Sequence, residues 1–325
     1  MLLNRSVRFL PRARIRSIAT TPARHQTSPP PPLPECSPAT CTCAGTPPDL
    51  DIDRKTSLLH TTAPYAEQVL ICTGKDDWTS RIEDEDSPSG DFVRGLKGEI
   101  GRGGEGFDPF NNVLTTLSSF PASPTPNTTI ALLFPSFKRI EGIPNTKDAY
   151  AAFATAYLKA RTLHPAHMGL TPEQKAALTR DEALAARIPA PEPITKPTVL
   201  ICGHGGRDQR CGVLGPMLQS RFRDAFKQKE VDVDVGLISH IGGHKYAGNV
   251  IIYLPPGEEK ALAGWGIWYG RVGPANVEEI VQNTVVDRRV ALEFLRGGIT
   301  HEGKDIAKIM EPPEEAKLTL KPKAR

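Results

Sequence analysis

The stretch VLICGHGGRDQRCG, residues 199–212, indicates both a fold class and a binding site. Its first four residues predict a short buried strand, because a brief apolar run that ends in glycine is typical of a core strand. A helix is predicted to follow, from about residue 211 or 215 to residue 230. Its predicted inner face is formed by Leu214, Met217, Leu218, Phe222 and Phe226. This arrangement puts Cys202 at a strand end and Cys211 at or just before a helix N-terminus, where a thiolate is favoured.

The residues that follow complete a predicted α/β domain over residues 198–300. Val and Asp alternate from residue 231 onward, which predicts a strand over 231–238 with one face in water. Two more strands are predicted over 249–254 and 266–272, and a closing helix over 276–286. The predicted order is β-α-β-β-β-α, or β-α-β-β-α if one strand is peripheral. This is the order of a thioredoxin-like domain.

A second motif, HIGGH at residues 240–244, carries His240 and His244. It is predicted to be a loop, because each glycine inside a helix costs about 1 kcal/mol. Two cysteines and two imidazoles in two glycine-rich loops predict a metal site formed by Cys202, Cys211, His240 and His244. The spacing alone does not distinguish zinc from an iron–sulfur cluster, and His204 could replace one of the four. Cys72 ends a similar strand without a partner cysteine and is interpreted as a buried structural residue.

The first half of the chain is predicted to fold as a lobe of its own. Strands are predicted over 68–72 and 128–134, a long loop with a short helix over 83–110, and helices over 147–163 and 171–187. Four prolines between residues 189 and 197 mark a linker. The predicted organisation is a smaller, degenerate thioredoxin-like lobe (50–165), a linker with a surface helix (166–197), the domain of residues 198–300, and a charged tail (301–325).

The N-terminal segment has the composition of a mitochondrial transit peptide. Residues 1–34 contain six arginines and no acidic residue: Arg5, Arg8, Arg12, Arg14, Arg16 and Arg24. Arginine-rich, Ser/Thr-containing and acid-free segments are typical of mitochondrial targeting, which favours the matrix. The alternative is a disordered basic tail. Residues 1–49 are therefore predicted to be a transit peptide and a proline-rich disordered segment.

Composition excludes several classes of protein. The net charge is +3 and much of it lies in the first 34 residues, so a nucleic-acid binder is not expected. No run of eighteen apolar residues exists, so membrane insertion is not predicted. Cys36, Cys41 and Cys43 could form a second metal site or a redox-active thiol pair, but a flexible cysteine-bearing segment is the favoured interpretation. No Cys-x-x-Cys occurs in the sequence, which argues against a thioredoxin-type dithiol enzyme.

Three motifs together resemble the sucrase/ferredoxin-like family: CGHGGRDQRCG at 202–212, HIGGHKYAGN at 240–249 and WYGRVGP at 268–274. Within that family the chain is similar to the branch named for altered inheritance of mitochondria, and LDIDR at 50–54 resembles that branch too. The resemblance implies a thioredoxin-like ferredoxin with a [2Fe–2S] cluster. It also implies that Cys202 and Cys211 bind one iron, and that His240 and His244 bind the other.

The predicted function is electron transfer or redox sensing by a [2Fe–2S] protein, rather than catalysis on a substrate. Arg207, Arg210 and Lys245 lie beside the predicted ligands and would form a positive rim suited to an acidic redox partner. The alternative interpretation is that these are ordinary charged residues of a solvated loop, without a role in binding a partner. Two rival functions remain at this point: a zinc-stabilised binding module with the same ligands, and a thiol oxidoreductase that uses the N-terminal cysteines. The oligomeric state does not follow from the sequence.

Overall fold

The structure is a computed structural model that describes residues 32–33, 45–257 and 259–311. The predicted transit peptide, Cys36, Cys41 and Cys43, and most of the predicted charged tail lie outside the described residues. No helix in the described ranges is both long and apolar enough to cross a membrane.

One mixed sheet contains strands from both halves of the chain. Its strands are β1 Glu67–Cys72, β2 Val113–Ser118, β3 Thr128–Phe134, β4 Lys138–Pro144, β5 Glu192–Pro193, β6 Thr198–Cys202, β7 Asp234–Ile238, β8 Val250–Tyr253, β9 Trp265–Tyr269 and β10 Leu295–Thr300. Their order is β10-β9-β8-β6-β7-β2-β1-β3-β4-β5. The helices are α1 Pro88–Ile100, α2 Lys147–Phe153, α3 Pro172–Leu178, α4 Gln209–Gln228, α5 Val277–Ile280 and α6 Ile306–Ile309. Both α2 and α5 continue as π-helical segments, Ala154–Leu158 and Val281–Val286.

The two halves repeat one topology. In the first half β1 is parallel to β2 and antiparallel to β3, which is antiparallel to β4. In the second half β6, β7, β8 and β9 have the same pairings. The parallel pairs require crossovers, which contain α1 and α4. The tetrapeptide VLIC ends both β1 and β6, so Cys72 and Cys202 occupy equivalent positions.

The sheet curls around an aromatic layer. Its halves are joined by the antiparallel pair Ser118 and Ile238 of β2 and β7. Although four strands separate β3 from β8 in the sheet, Phe134 and Tyr253 stack with ring centroids 4.0 Å apart. The helices pack on the other face, where Phe92 of α1 and Phe222 of α4 are fully buried. Since β1 and β6 are buried on both faces, they read as continuous apolar runs in the sequence.

The mixed α/β class and most of the predicted elements are confirmed. The predicted helix over 171–187 is wrong as one element, because the chain becomes extended at Thr179, which bridges to Ala160. The helix predicted within 83–110 is confirmed as α1, which is capped by Ser87 and, at 13 residues, is longer than the short helix predicted. The strands β2, β4 and β10 were not predicted. Within 166–197, β5 pairs with β4 at the sheet edge, and α6 lies within the predicted tail.

Candidate metal centre

Cys202 and Cys211 meet at the carboxyl end of β6. Cys202 is the last residue of that strand, and Cys211 lies in the first turn of α4. Asp208 is the N-cap, and its side chain accepts a hydrogen bond from the Arg210 backbone N–H. This cap starts the helix before Cys211 and turns that side chain toward the strand. Both cysteines are almost wholly buried, and their sulfur atoms share a hydrogen bond.

Glycines allow the two sulfur atoms to meet, because the loop after β6 lies directly on α4. A Cβ atom on Gly212 would lie 2.5 Å from the Cα atom of Gly205. A Cβ atom on Gly215 would lie 2.5 Å from the Cα atom of Gly203. Any other residue at either helix position would move α4 away from the loop and separate the thiols.

Within the cysteine pair, Cys202 is favoured as the thiolate and Cys211 as the neutral thiol. A hydrogen bond from the Cys211 thiol holds the pKa of Cys202 well below its ordinary value, and the neighbouring His240 side chain lowers this pKa further. The same shared proton, together with burial, raises the pKa of Cys211. By contrast, burial raises the pKa of Cys72 to about 11. Cys202 is therefore suited to be a metal ligand, whereas the equivalent Cys72 stays a neutral thiol.

His240 and His244 flank a tight loop after β7. Because β6 and β7 are parallel neighbours, with Cys202 opposite Ile238, the histidine loop begins beside the cysteines. Gly242 and Gly243 have left-handed backbone angles, φ +81° and +72°, and a single 3₁₀ turn follows over His244–Tyr246. The two imidazole centroids lie 5.5 Å apart. The prediction of a non-helical loop is confirmed.

The four side chains form two pairs whose chemistry fits a binuclear cluster. Nδ1 of His240 is buried and has no hydrogen-bond partner within the described part of the chain, although the same ring contacts Cys202. A buried ring nitrogen without a partner beside a polarised thiol is an open ligand position. No three His, Cys, Asp or Glu side chains in the described ranges converge closely enough to hold one metal ion. In a mixed-ligand [2Fe–2S] centre two cysteines bind one iron and two histidines the other.

His204, which the sequence left open as a ligand, positions the histidine loop instead. Its Nε2 lies 3.1 Å from the Trp78 carbonyl oxygen and 2.9 Å from that of Thr79, so this nitrogen carries the donated proton. Its Nδ1 accepts a hydrogen bond from the backbone N–H of His240, at 3.0 Å. With both ring nitrogens engaged and only 1% of the residue exposed, His204 links the two halves of the molecule.

Replacing His204 with phenylalanine is expected to lower the free energy of unfolding by about 3 kcal/mol, because the Trp78 and Thr79 carbonyls and the His240 N–H lose their shared hydrogen-bond partner. The measurement is urea denaturation, with His301→Phe at an exposed position as the control. The folded variant is expected to keep any bound metal. Loss of the metal from a stably folded His204→Phe protein would instead show that metal binding depends on His204.

An N-terminal strap, residues 50–62, connects the loops of the site through hydrogen bonds and ion pairs, a role that the sequence does not predict. The Asp51 carbonyl accepts a hydrogen bond from Arg210, and the Asp53 N–H donates to the Lys245 carbonyl. The carboxylate of Asp53 also pairs with Lys245 at 3.4 Å and with Arg271 at 3.6 Å. The only signal for this role is the acidic LDID run, whose long-range partners a sequence does not reveal.

The predicted positive rim is largely neutralised. Arg210 forms a 2.8 Å ion pair with Asp208, and Lys245 pairs with Asp53. Arg207 is exposed, and its guanidinium lies 3.5 Å from Ser80 Oγ. The first half of the chain also contacts the loop between β6 and α4, because Asp77 accepts a hydrogen bond from the Gly206 N–H at 3.1 Å. The edge of the site therefore carries much less positive charge than its basic residues suggest.

Comparison with known proteins gives one family. The model of the sucrase/ferredoxin-like family matches residues 58–297, which include all four candidate ligands. No solved structure matches this chain.

Several curated relatives carry the name altered inheritance of mitochondria protein 32. The relative from Clavispora lusitaniae is 48% identical over 108 residues, which are 32% of this chain and 36% of the relative. The relative from Debaryomyces hansenii is 47% identical over 106 residues, or 33% and 37% of the two chains. The relative from Saccharomyces cerevisiae strain YJM789 is 39% identical over 102 residues, or 31% and 32%. The chain thus aligns with about a third of the length of these relatives.

Proposed function

This chain belongs to the sucrase/ferredoxin-like family, and we propose that it is a [2Fe–2S] protein that transfers electrons or senses redox state. Cys202 and Cys211 would hold the inner iron, and His240 and His244 the outer one. The observation that carries the proposal is the buried, unpartnered Nδ1 of His240 beside the polarised cysteine pair. We also propose that each half of the molecule is a thioredoxin-like lobe, which the repeated strand order supports.

The burial of the four residues suits electron transfer. A bound cluster would supply reversible one-electron chemistry. The cysteines keep water away from the inner side, since both are at most 2% exposed. His240 is half-buried and His244 is exposed, so the imidazoles lie between the core and solvent. Electrons would therefore pass through the histidine edge to a redox partner protein, with neither nucleic acid nor membrane insertion involved.

An absorbance spectrum of protein purified without oxygen, with iron and acid-labile sulfide assays, tests this proposal. We expect a coloured protein with two irons and two sulfides per chain. A colourless protein with one zinc per chain would support the rival zinc-stabilised module. Zinc has a filled d shell, so it is colourless, and it has no redox chemistry.

His240→Cys and His244→Cys are each expected to keep a cluster but to lower its reduction potential. A thiolate in place of a neutral imidazole adds negative charge and disfavours the reduced state. Histidine-ligated centres lie at about −150 to +300 mV, against about −400 mV for plant-type ferredoxins. Redox titration followed by EPR measures the change. A cluster-retaining variant with an unchanged or higher potential would argue that the replaced histidine is not a ligand.

We further propose that the protein is mitochondrial and enters the matrix, for which the names of its relatives and the arginine-rich residues 1–34 are the support. Deletion of residues 2–28 is expected to leave the protein in the cytosol, because these residues carry the predicted targeting signal. Fluorescence microscopy and fractionation of a C-terminally tagged chain measure this. Undiminished mitochondrial import of the truncated chain would show that the signal lies elsewhere.

A further inference from the structure

Arg296 is a buried cation that has no acidic hydrogen-bond partner among the residues that the structure describes. It lies in β10 at the bulge between Leu295 and Gly297, and it is 2% exposed. Its guanidinium donates to Thr61 Oγ1 and O, at 3.0 and 2.9 Å, and to Asn249 Oδ1 at 2.7 Å. A further hydrogen bond, at 3.3 Å, reaches the Gly242 carbonyl. All these acceptors are neutral, so they satisfy the hydrogen bonds of the guanidinium but leave its charge uncompensated.

The same guanidinium supports the backbone between the two candidate histidine ligands. It binds the Gly242 carbonyl directly, and Asn249 extends the network by donating to the Gly243 carbonyl at 2.9 Å. A Cβ atom on Gly243 would lie 2.4 Å from a guanidinium nitrogen, so the loop packs directly against Arg296. The rings of Tyr246 and Trp268 flank the charge, at 5.6 and 5.9 Å from their centroids. Arg296 is thus fixed directly beneath the histidine loop.

Arg296 stays positively charged at neutral pH, and few described groups near it can compensate that charge. Burial lowers the pKa of the guanidinium to about 10, which still leaves it protonated at neutral pH. The groups that oppose this effect are the Tyr246 phenol and the two candidate ligand thiols. An uncompensated buried charge is expensive, so a structure that retains one generally provides an anion nearby. The candidate metal centre is the part of the site where negative charge would accumulate.

We propose that Arg296 is a positioning residue that holds the histidine loop and whose positive charge stabilises the reduced metal centre. This inference rests on the proposed function, because reduction adds one negative charge to the site only if an iron–sulfur cluster is bound there. A fixed cation in a poorly solvated environment stabilises the more negative state and so raises the reduction potential.

The test compares Arg296→Met with Arg296→Lys in the full chain, purified with its cluster. Arg180→Met is the control, because this half-buried arginine of the first half donates to the Lys159 carbonyl, away from the ligand loops. At a fixed applied potential, Arg296→Met is expected to lower the ratio of reduced to oxidised protein about tenfold, which corresponds to 59 mV for one electron. Arg296→Lys, which keeps the charge, should retain most of the wild-type ratio, and Arg180→Met all of it. Thermal unfolding followed by circular dichroism monitors the fold of each variant.

The outcomes separate the inference from the function on which it rests. A wild-type protein without iron and sulfide would overturn both. A wild-type cluster whose potential is the same in Arg296→Met, or shifts equally in Met and Lys variants, would overturn the role of the charge alone. If Arg296→Met folds but loses the cluster, retention by Arg296→Lys supports the role of the charge, and loss in both variants contradicts it.

Discussion

Cys202→Ala is expected to lose the cluster completely, whereas Cys72→Ala should keep it. The two cysteines end strands with the same VLIC sequence and occupy equivalent positions in the two halves. Among the described residues, only Cys202 of these two has a second thiol beside it, since α4 brings Cys211 into contact with it. Without Cys202 the inner iron would have one protein ligand. Iron and sulfide per chain, together with absorbance, measure the effect.

The Cys72 variant makes this comparison a matched one. Both cysteines are 2% exposed, so each alanine removes a buried sulfur atom of the same size and should affect folding similarly. Circular dichroism of both variants shows whether the fold is kept. Equal loss of iron from two folded variants, or full retention in Cys202→Ala, would contradict the assignment of Cys202 as a ligand.

Gly212→Ala is expected to lower the free energy of unfolding by about 1–3 kcal/mol and to reduce cluster content, because overpacking a close contact forces the backbone to shift. The added methyl group would meet the Cα atom of Gly205 at 2.5 Å, and neither backbone can yield without moving α4 from the loop. Separation of Cys202 from Cys211 would follow. Urea denaturation and iron analysis measure the two effects.

Gly98→Ala is the control for that substitution and should raise the free energy of unfolding instead of lowering it. Gly98 lies inside α1, and a Cβ atom there would meet nothing within 4 Å. Alanine is favoured over glycine in a helix interior by about 0.5–1 kcal/mol, so this variant should be slightly more stable than the wild type. Wild-type stability and iron content in Gly212→Ala would mean that the loop and α4 are not in the contact described.

The sequence predicts the central strands and both ligand loops well, because their signals are local. An apolar run before glycine indicates β1 and β6, and the glycines of HIGGH exclude a helix. The strands β2, β4 and β10 escape prediction because their residues mix polar and apolar types. In β10, the buried Arg296 and two adjacent glycines have no strand pattern at all. Their pairing comes from neighbours far along the chain.

The candidate ligands are predictable and their surroundings are not. Residue type and spacing identify four candidate ligands, Cys202, Cys211, His240 and His244. By the same criteria His204 is an equally good candidate ligand until its contacts with Trp78 and Thr79 are known. The strap and Arg296 act through partners more than 150 and 40 residues away, respectively. Long-range hydrogen bonds of this kind depend on the finished fold and leave no periodic signal in the sequence.

Pulsed EPR of the reduced protein, produced with ¹⁵N-histidine, shows directly whether His240 and His244 bind the cluster. We expect a paramagnetic iron–sulfur signal coupled to two directly bound histidine nitrogens, one of which disappears in His240→Cys and the other in His244→Cys. Cys72→Ser should leave both couplings in place. A cluster signal without bound nitrogen, or a histidine variant that keeps its cluster together with both nitrogen couplings, would contradict the proposed ligand set.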